Sequence, residues 1–286
     1  MRAQDLLAEG ARALGAAGID GAARDARWLM AHALDMAPDR LVLALGDPVS
    51  AAQMARFQAA IAARLERQPV AQITGARLFW GRRFKVTPDV LDPRPETETL
   101  IAAALERPYS NVLDLGTGSG AILLTLLAER PDASGVGVDL SPKALAVAQD
   151  NARALGLEGR ARLHLSDWFS AVEGVFDLIV SNPPYIAASD LDGLAPETRD
   201  WEPRMALVPD GCDGSGLAAY RLILSRIGDY LAPGGRVMVE AGLGQGPDIA
   251  ALFVQAGLTR VEMLEDMTGR VRIVRGESPR CAFAPV

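Results

Sequence analysis

The sequence predicts an α/β protein in which a seven-stranded, mostly parallel sheet follows a small helical domain and a β-hairpin linker. From residue 111 onward, short apolar runs alternate with helix-like segments, which is typical of a parallel sheet covered by helices on both faces. Residues 2 to about 67 are instead rich in Ala, Leu and Arg, which indicates helices. Between these parts, short β-like runs are separated by Gly75 and Gly81, which indicates a hairpin. The predicted boundaries of the helical domain, the linker and the α/β domain are 1–68, 69–92 and 93–286.

Composition and charge narrow the class of protein. The 286 residues exceed the usual size of one domain, and 49% hydrophobic with 23% charged residues is typical of a globular protein. A net charge of −7 argues against a surface that coats nucleic acid, because phosphate binding relies on Lys and Arg. The residues after Met1 lack a signal-peptide core and no apolar run reaches membrane-spanning length, so we expect a cytoplasmic protein that does not contact membranes.

Cysteine and histidine are scarce in this chain. Cys212 and Cys281 have no metal-ligand spacing and no neighbouring histidine, and the two histidines are His32 and His164. We therefore predict reduced thiols, no metal site and no Ser-His-Asp catalysis. His164 falls in an alternating, strand-like run, which favours a structural role.

The N-terminal helices are predicted to pack through one apolar face each. Ser50 is suited to cap one of these helices, because its hydroxyl can accept a hydrogen bond from the first turn. The predicted buried faces comprise Trp28, Leu29, Ala31 and Ala33, and Met54, Phe57, Ile61 and Leu65. This helical spacing indicates a packed core rather than a cofactor pocket.

The linker and the sheet account for the remaining predicted strands. In the linker the β-like runs are 72–74, 78–80 and 84–86. A proline-punctuated loop from Asp92 to Glu98 then leads into a helix. The predicted strands of the sheet are 111–115, 135–138, 161–165, 177–180 and 236–240, with 259–264 and 271–275 as a late pair that closes it.

A glycine-rich turn follows the first of the sheet strands. Glycines at this place let the backbone approach a ligand and expose amide donors at a helix N-terminus. The motif alone is weak evidence for a ligand site, since a plain tight turn has nearly the same sequence pattern. The candidate cofactor-binding residues of the turn are Asp114, Gly116, Thr117, Gly118, Ser119 and Gly120.

Two further strand ends support a nucleoside ligand. Asp139 ends the second strand about twenty residues on, where a carboxylate can accept both ribose hydroxyls. Asp167 and Trp168 follow the third strand and offer a carboxylate for an adenine amino group and an aromatic face for its ring.

The glycine spacing distinguishes an adenosyl ligand from a dinucleotide. The dinucleotide fingerprint is G-x-G-x-x-G, whereas this chain has Gly116-x-Gly118-x-Gly120 preceded by Asp114. An acidic residue suits the ammonium group of an amino-acid tail, and no pyrophosphate needs charge compensation. S-adenosylmethionine (SAM), with S-adenosylhomocysteine as product, therefore fits better than NAD.

The fourth strand ends in Asn182-Pro183-Pro184-Tyr185. Proline fixes its own φ and restricts the residue before it, so the Asn182 side-chain carbonyl and the Pro183 main-chain carbonyl can be held as two acceptors for one NH2 group. In a doubly wound sheet the first and fourth strands are neighbours at the switch point, which places this loop beside the glycine turn. The combination predicts methyl transfer to nitrogen, with Tyr185 packing on the substrate's aliphatic stem.

Each of these features also has a purely structural interpretation. Asn182-Pro183-Pro184 could be a strand-ending turn, Asp139 a helix-leading cap and Trp168 a packed aromatic residue. Their common order along a cofactor-binding fold favours the functional interpretation.

The chain resembles the HemK/PrmC type of release-factor glutamine N5-methyltransferases over nearly its whole length. Asn-Pro-Pro-Tyr alone is shared with adenine-N6 and guanine-N2 methyltransferases, and the run Arg94 to Glu98 narrows the choice. The motifs that carry the resemblance are Gln72-Ile73-x-Gly75, Phe79-Trp80-Gly81, Arg94-Pro95-Glu96-Thr97-Glu98, the glycine turn, Asn182-Pro183-Pro184-Tyr185, Trp201-Glu202-Pro203, Ala206-Leu207 and Gly244-Gln245.

The resemblance implies a SAM-dependent enzyme that methylates the glutamine of the Gly-Gly-Gln loop in class I peptide chain release factors, with a helical domain that grips this protein. The implied catalytic residues are Asn182, Pro183 and Tyr185, and the substrate-binding residues add Pro184 and Arg94. Asn182 is also expected to contact the cofactor. A nucleic-acid N-methyltransferase and a catalytically silent SAM-binding protein are the alternatives. Nothing in the sequence demands a dimer, so a monomer is expected.

The roles of two residues stay open at this stage, and the chain departs from the family at two places. Arg94 and Glu96 either gate the substrate mouth or form an ion pair in the linker, and Glu98 is assigned a structural role. The chain departs from the family at Asp92, where an apolar residue is usual, and over 208–216, which is longer than the usual turn. Both departures are expected to affect loops rather than chemistry.

Overall fold

The computed structural model describes residues 1–211 and 214–279, so the prediction of reduced thiols at Cys212 and Cys281 lies outside the described residues. The chain forms two compact units. The first comprises residues 1–76 and, unexpectedly, 195–201; the second comprises 77–194 and the described residues from 202 onward.

The first unit is helical. Its helices are α1 (Ala3–Ala16), α2 (Ala22–Ala33), α3 (Ala51–Leu65) and α4 (Val70–Thr74), with a single helical turn at Pro196–Arg199. The Ser50 hydroxyl accepts a hydrogen bond from the Gln53 amide at 3.2 Å, so the predicted cap of α3 is confirmed. Phe57 and Ile61 of α3 pack against Leu29 and Met30 of α2 in a buried apolar cluster.

The segment 195–201 joins this helical unit through polar contacts. The side chain of Arg64 is 7% exposed and pairs with Asp25 and Glu197, each at 2.9 Å. Gln72 Nε2 donates to the Trp201 carbonyl oxygen at 2.8 Å. A buried arginine is tolerated only when its charge is paired, so these acids are needed by the unit itself.

The prediction of a β-run at 72–74 is wrong, because these residues lie in α4. Pro69 precedes the helix, the Thr74 hydroxyl donates back to the Val70 carbonyl, and Gly75 ends it with a φ of 70°. Alternation of apolar and polar residues over three positions is too short to separate a strand from a helical turn. The linker hairpin therefore begins at Ala76.

The second unit has an α/β architecture. Its strands are β1 (Ala76–Phe79) and β2 (Arg82–Lys85) in a hairpin, then β3 (Asn111–Leu115), β4 (Ser134–Asp139), β5 (Ala161–Leu165), β6 (Phe176–Ser181), β7 (Leu231–Glu240), β8 (Thr259–Glu265) and β9 (Val271–Glu277). Its helices are α5 (Glu98–Leu105), α6 (Ala121–Glu129), α7 (Pro142–Ala154), α8 (Ala218–Tyr230) and α9 (Gly246–Gln255). All seven predicted sheet strands are confirmed.

The sheet has the order β5-β4-β3-β6-β7-β9-β8, with β9 antiparallel to both β7 and β8. Strand β3 pairs in parallel with β4 on one side and β6 on the other, with Leu115 opposite Val138 and Ser181. The chain order therefore reverses between β3 and β6, as predicted, and ligands bind at such a switch point in doubly wound sheets.

Apolar residues cover both faces of the sheet. Because successive side chains of a strand point to opposite faces, Val112 and Leu178 pack on one side while Leu113 and Ile179 pack on the other. The first side is covered by α5 and α6 and the second by α8 and α9. Burial on both faces explains why these strands read as continuous apolar runs. Among the described residues, no helix combines the length and the apolar character that a membrane crossing requires.

Candidate active site

A cavity of about 280 Å³ lies at the carboxyl ends of the parallel strands. Most of the predicted site residues line it, namely Arg94, Gly116, Thr117, Gly118, Ser119, Asp139, Asp167, Trp168, Asn182 and Pro184. Four predicted residues do not line it: Asp114, Gly120, Pro183 and Tyr185. The loops after four different strands thus converge on one cavity, as their sequence order predicted.

The glycine turn presents bare backbone to this cavity. Gly116 and Gly118 have φ values of 71° and 55°, a region that favours glycine, and a Cβ added to either would meet no atom within 4 Å. A side chain at either residue would fill this open space, which glycine leaves free for a ligand. Gly120 has a different role, because its Cβ would lie 2.9 Å from Leu124 Cδ1 of α6. Its absence of a side chain lets α6 pack closely.

Asp139 fixes the turn from the neighbouring strand. Its Oδ2 accepts a hydrogen bond from the Gly118 amide and its Oδ1 accepts one from the Ser141 amide, each at 2.8 Å. Burial raises the pKa of this carboxyl, and hydrogen bonds from the amides of Ser141, Gly118 and Leu140 act in the opposite direction. A carboxylate has about four acceptor positions, so these three amides leave Asp139 an acceptor position for a ribose hydroxyl.

Asp114 lies behind the turn rather than in the cavity. The residue is fully buried, and its Oδ2 accepts hydrogen bonds from the Thr117 hydroxyl at 2.7 Å and the Leu123 amide at 3.3 Å. Its Oδ1 is buried without a hydrogen-bond partner among the described residues. Burial raises the pKa of Asp114 to about 7. The geometry shows that Asp114 anchors the turn, and direct binding of an ammonium group stays a prediction.

The loop after β5 is braced by serines. Ser166 donates its hydroxyl proton to the Trp168 carbonyl at 2.8 Å, and the Asp167 amide donates to the Ser170 hydroxyl at 3.0 Å. Trp168 has a φ of 47°, which is unusual for an aromatic residue and persists only when neighbours hold it. The half-buried indole thus stays at the cavity wall, where it can cover a ring.

Asn182 has a defined orientation in the loop after β6. Its Nδ2 donates to the Thr97 hydroxyl at 3.3 Å, and Thr97 donates to Glu240 Oε2 at 2.5 Å. Among the described residues, no donor contacts Asn182 Oδ1. The side-chain carbonyl is therefore available as an acceptor at the cavity. Sequence reasoning missed Thr97 and Glu240 as partners, although Thr97 lies inside a motif that carried the resemblance.

Comparison with known proteins decides the family. Residues 5–75 match the family described as the PrmC N-terminal domain, and residues 92–197 match the methyltransferase small domain. A release factor glutamine methyltransferase from Cereibacter sphaeroides is 58% identical over 98% of this chain and 99% of its own length. A protein of the same name from Rhodospirillum rubrum is 46% identical over 93% of this chain and 82% of its own. This chain belongs to the release factor glutamine methyltransferase family.

The fold agrees with this family. A methyltransferase from Pyrococcus furiosus superposes with a TM-score of 0.54, although only 18% of residues are identical, and the match covers 70% of this chain and 91% of that protein. At this identity the likeness shows the fold alone. The resemblance stated from the sequence motifs is confirmed by the relatives.

Arg94 of this methyltransferase forms an ion pair, which is one of the two roles that its sequence left open, while gating of the substrate mouth stays a prediction. It lines the cavity, and its Nη2 lies 2.5 Å from Glu202 Oε2, whose side chain is 1% exposed. Glu202 also accepts a hydrogen bond from the Asp92 amide at 3.4 Å. Glu98 is structural, as predicted, because its Oε1 accepts from the Trp80 amide. Asp92 is buried beside Arg77 and does not line the cavity.

Gln245 braces the Asn-Pro-Pro-Tyr loop of the methyltransferase. Its Nε2 donates to the Tyr185 carbonyl at 3.0 Å, and its Oε1 accepts from the Gly242 amide at 3.1 Å. The Tyr185 ring packs against the apolar cluster beneath α8 and α9, and burial raises the pKa of its hydroxyl. The proposal that Tyr185 packs on substrate therefore stays a prediction. The structure shows that Gln245 holds the Asn-Pro-Pro-Tyr loop at the Tyr185 carbonyl.

Gly216 is required by this clamp. Its φ is 70°, and an added Cβ would lie 2.2 Å from the Tyr185 carbonyl oxygen. We expect Gly216→Ala to displace the loop and to slow methyl transfer about tenfold or more. A displacement of reacting groups by about 1 Å can lower a rate by about 100-fold. Single-turnover rates measure the effect.

Gly214→Ala is the matched control for this variant. Gly214 has a φ of 84° but nothing within 4 Å of the added Cβ, so it introduces backbone strain without a clash. It should retain most of the activity. Equal loss in the two variants would show that backbone strain, and not the Tyr185 carbonyl, is responsible.

Proposed function

We propose that this chain transfers a methyl group from SAM to the side-chain amide nitrogen of the glutamine in the Gly-Gly-Gln motif of peptide chain release factors, and so modulates translation termination. The observation that carries the proposal is the orientation of Asn182, whose Nδ2 is bound to Thr97 while Oδ1 is available at the cavity beside the glycine turn. The relatives that share nearly the whole chain bear the name of this activity.

The residues of the cavity fit SAM. Gly116 and Gly118 leave open space for its amino-acid tail, Asp139 presents its carboxylate to the ribose, and Trp168 offers a face to the adenine. Asp167 lies beside Trp168, where its carboxylate can accept from the adenine amino group. When bound, SAM supplies an electrophilic methyl group on a sulfonium.

The chain's own residues must make an amide nitrogen nucleophilic. The lone pair of a carboxamide nitrogen is delocalised into its carbonyl, so the NH2 group has to be held in a geometry that frees it. In the proposal, Asn182 Oδ1 and the Pro183 carbonyl each accept one N–H of the substrate glutamine, although Asn182 lines the cavity and Pro183 does not. This arrangement orients the nitrogen and stabilises the positive charge that develops on it. No general base is required if the proton leaves after the methyl group has been transferred.

The helical unit is proposed to bind the protein substrate. The family profile described as the PrmC N-terminal domain covers this unit, whereas the cofactor cavity is formed by the second unit alone. Release factors act in the cytoplasm, and we place the enzyme there as a monomer.

Mass spectrometry of a release factor incubated with the protein and SAM tests the proposal. We expect a mass increase of one methyl group on the glutamine of the Gly-Gly-Gln peptide, and none when that glutamine is replaced by alanine. Parallel incubations with tRNA, rRNA and DNA use radiolabelled SAM. Label in a nucleic acid but not in the release factor would overturn the proposal, and SAM binding without any labelled acceptor would favour a silent SAM-binding protein.

A further inference from the structure

A buried hydrogen-bond chain connects Asn182 to an acid that does not line the cavity. Thr97 is 4% exposed and lies between the Asn182 carboxamide and the Glu240 carboxylate. Glu240, the last residue of β7, is 2% exposed, and its main-chain carbonyl accepts a hydrogen bond from the Tyr220 hydroxyl at 2.8 Å. Thr97 and Asn182 are among the residues lining the cavity, while Glu240 is not.

The donor and acceptor roles along these hydrogen bonds determine the orientation of the Asn182 carboxamide. A threonine hydroxyl has a single proton to donate. When Thr97 donates it to Glu240, the hydroxyl oxygen can only accept from the other side, so Asn182 must present its NH2 group to Thr97. The Asn182 carbonyl oxygen then faces the cavity. The opposite orientation of the carboxamide would leave an oxygen facing an oxygen.

We propose that Thr97 and Glu240 are positioning residues that hold the Asn182 carboxamide with its carbonyl oxygen toward the substrate amide. This inference rests on the proposed function, because it deepens the role of Asn182 in that reaction. Neither residue touches the reacting atoms. Their effect is to exclude the orientation in which Asn182 would present a donor to a substrate NH2 group.

The carboxylate form of Glu240 is needed for this direction. A protonated Glu240 can itself donate to Thr97, which frees the Thr97 proton for Asn182 Oδ1 and allows the unproductive orientation. Burial raises the pKa of Glu240 to about 7, with the Thr97 hydrogen bond acting in the opposite direction. The charged and titratable groups that face Glu240 are Arg272 on β9, Arg94 and Glu96 in the loop before α5, Tyr185 after β6 and Tyr220 on α8. Methyl transfer should therefore rise with pH across the region near 7.

The test compares Thr97→Val, Thr97→Ser and Glu240→Gln with wild type in single-turnover methylation of a release factor. Thr97→Val removes the acceptor for the Asn182 NH2 group and should slow transfer about tenfold, the equivalent of one hydrogen bond. Thr97→Ser keeps the hydroxyl and should recover most of the rate. Glu240→Gln should flatten the rise with pH relative to wild type, because the amide does not titrate; a rise that remains belongs to Asp114, whose pKa is also raised to about 7.

Two further measurements separate positioning from general damage. Thr125→Val is the matched control, since Thr125 is fully buried in α6 and its hydroxyl has no partner among the described residues. It should leave the rate unchanged. Without SAM, the side-chain NH2 resonances of Asn182, assigned by their loss in Asn182→Ala, should shift with pH near 7 in wild type and not in Glu240→Gln.

The outcomes are distinct from those that test the function. If wild type methylates no release factor, the proposed function fails. If wild type is active but Thr97→Val matches Thr125→Val, or if Glu240→Gln keeps the pH dependence of wild type, the positioning proposal is overturned. An Asn182 side-chain resonance that does not shift with pH in wild type would also contradict the positioning proposal.

Discussion

An Asn182→Ala variant is expected to transfer the methyl group on the order of 100-fold more slowly, because losing one preorganised hydrogen-bonding group at a reacting centre typically raises the barrier by about 3 kcal/mol. The Asn182 carbonyl oxygen is the acceptor that the Thr97 contact leaves available. Single-turnover methylation of a release factor measures the loss. The dissociation constant for SAM should change little, since the glycine turn and Asp139 remain in place.

Asn111→Ala is a suitable control for this variant. Asn111 begins β3 at the end of the strand opposite the glycine turn, and its Nδ2 donates to the Val175 carbonyl. It should show a wild-type rate. An Asn182→Ala variant that methylates at the wild-type rate would contradict the amide clamp, whereas parallel loss of SAM affinity would assign Asn182 to cofactor binding instead.

Replacing Asp114 by asparagine is expected to stabilise the protein at alkaline pH. The pKa of Asp114 is raised from 3.8 to about 7 in the folded state, because burial disfavours the charged form. When folding raises the pKa of a carboxyl, its contribution to stability is fully present at a pH below its pKa in the unfolded state. The contribution is lost as the pH rises through its pKa in the folded state. The free energy of unfolding of Asp114→Asn relative to wild type should therefore grow by about 2 kcal/mol between pH 5 and pH 8.

Urea unfolding without SAM at several pH values measures this difference. Asp150→Asn is the control of opposite sign, because Lys85 lowers the pKa of that exposed carboxyl and its contribution is lost as pH falls. Asp150→Asn should give no gain at pH 8. A constant difference between Asp114→Asn and wild type across the pH range would show that Asp114 is ionised throughout.

The elements that sequence reasoning located are those with strong local patterns. Apolar patterns predicted the strands of the main sheet. The run is continuous in strands such as β6, which is buried on both faces and needs apolar residues at successive positions, and it alternates in β5. The glycines, Asp139 and Asn182 were found because each ends or directly follows a strand, and the strand ends converge at the switch point. The error at 72–74 arose where the pattern was only three residues long.

The contacts that sequence reasoning missed join residues far apart in the chain. Thr97 meets Glu240 across 143 positions, and Gln245 meets the Tyr185 carbonyl across 60. The return of 195–201 to the helical unit involves Arg64, a buried charge that pairs with the partly exposed Glu197. None of these pairings has a periodicity or spacing that a single sequence displays.

The α/β class, the strand order needed for a switch point and the loops around the cavity can be read from the chain's amino acids alone, because they follow from local apolar patterns and from glycine and proline geometry. The position of Asp114 behind the glycine turn and the outward orientation of the Asn182 oxygen are visible only in the folded protein. Burial and hydrogen-bond direction are set by neighbours that packing brings together, and the chain order does not encode them locally.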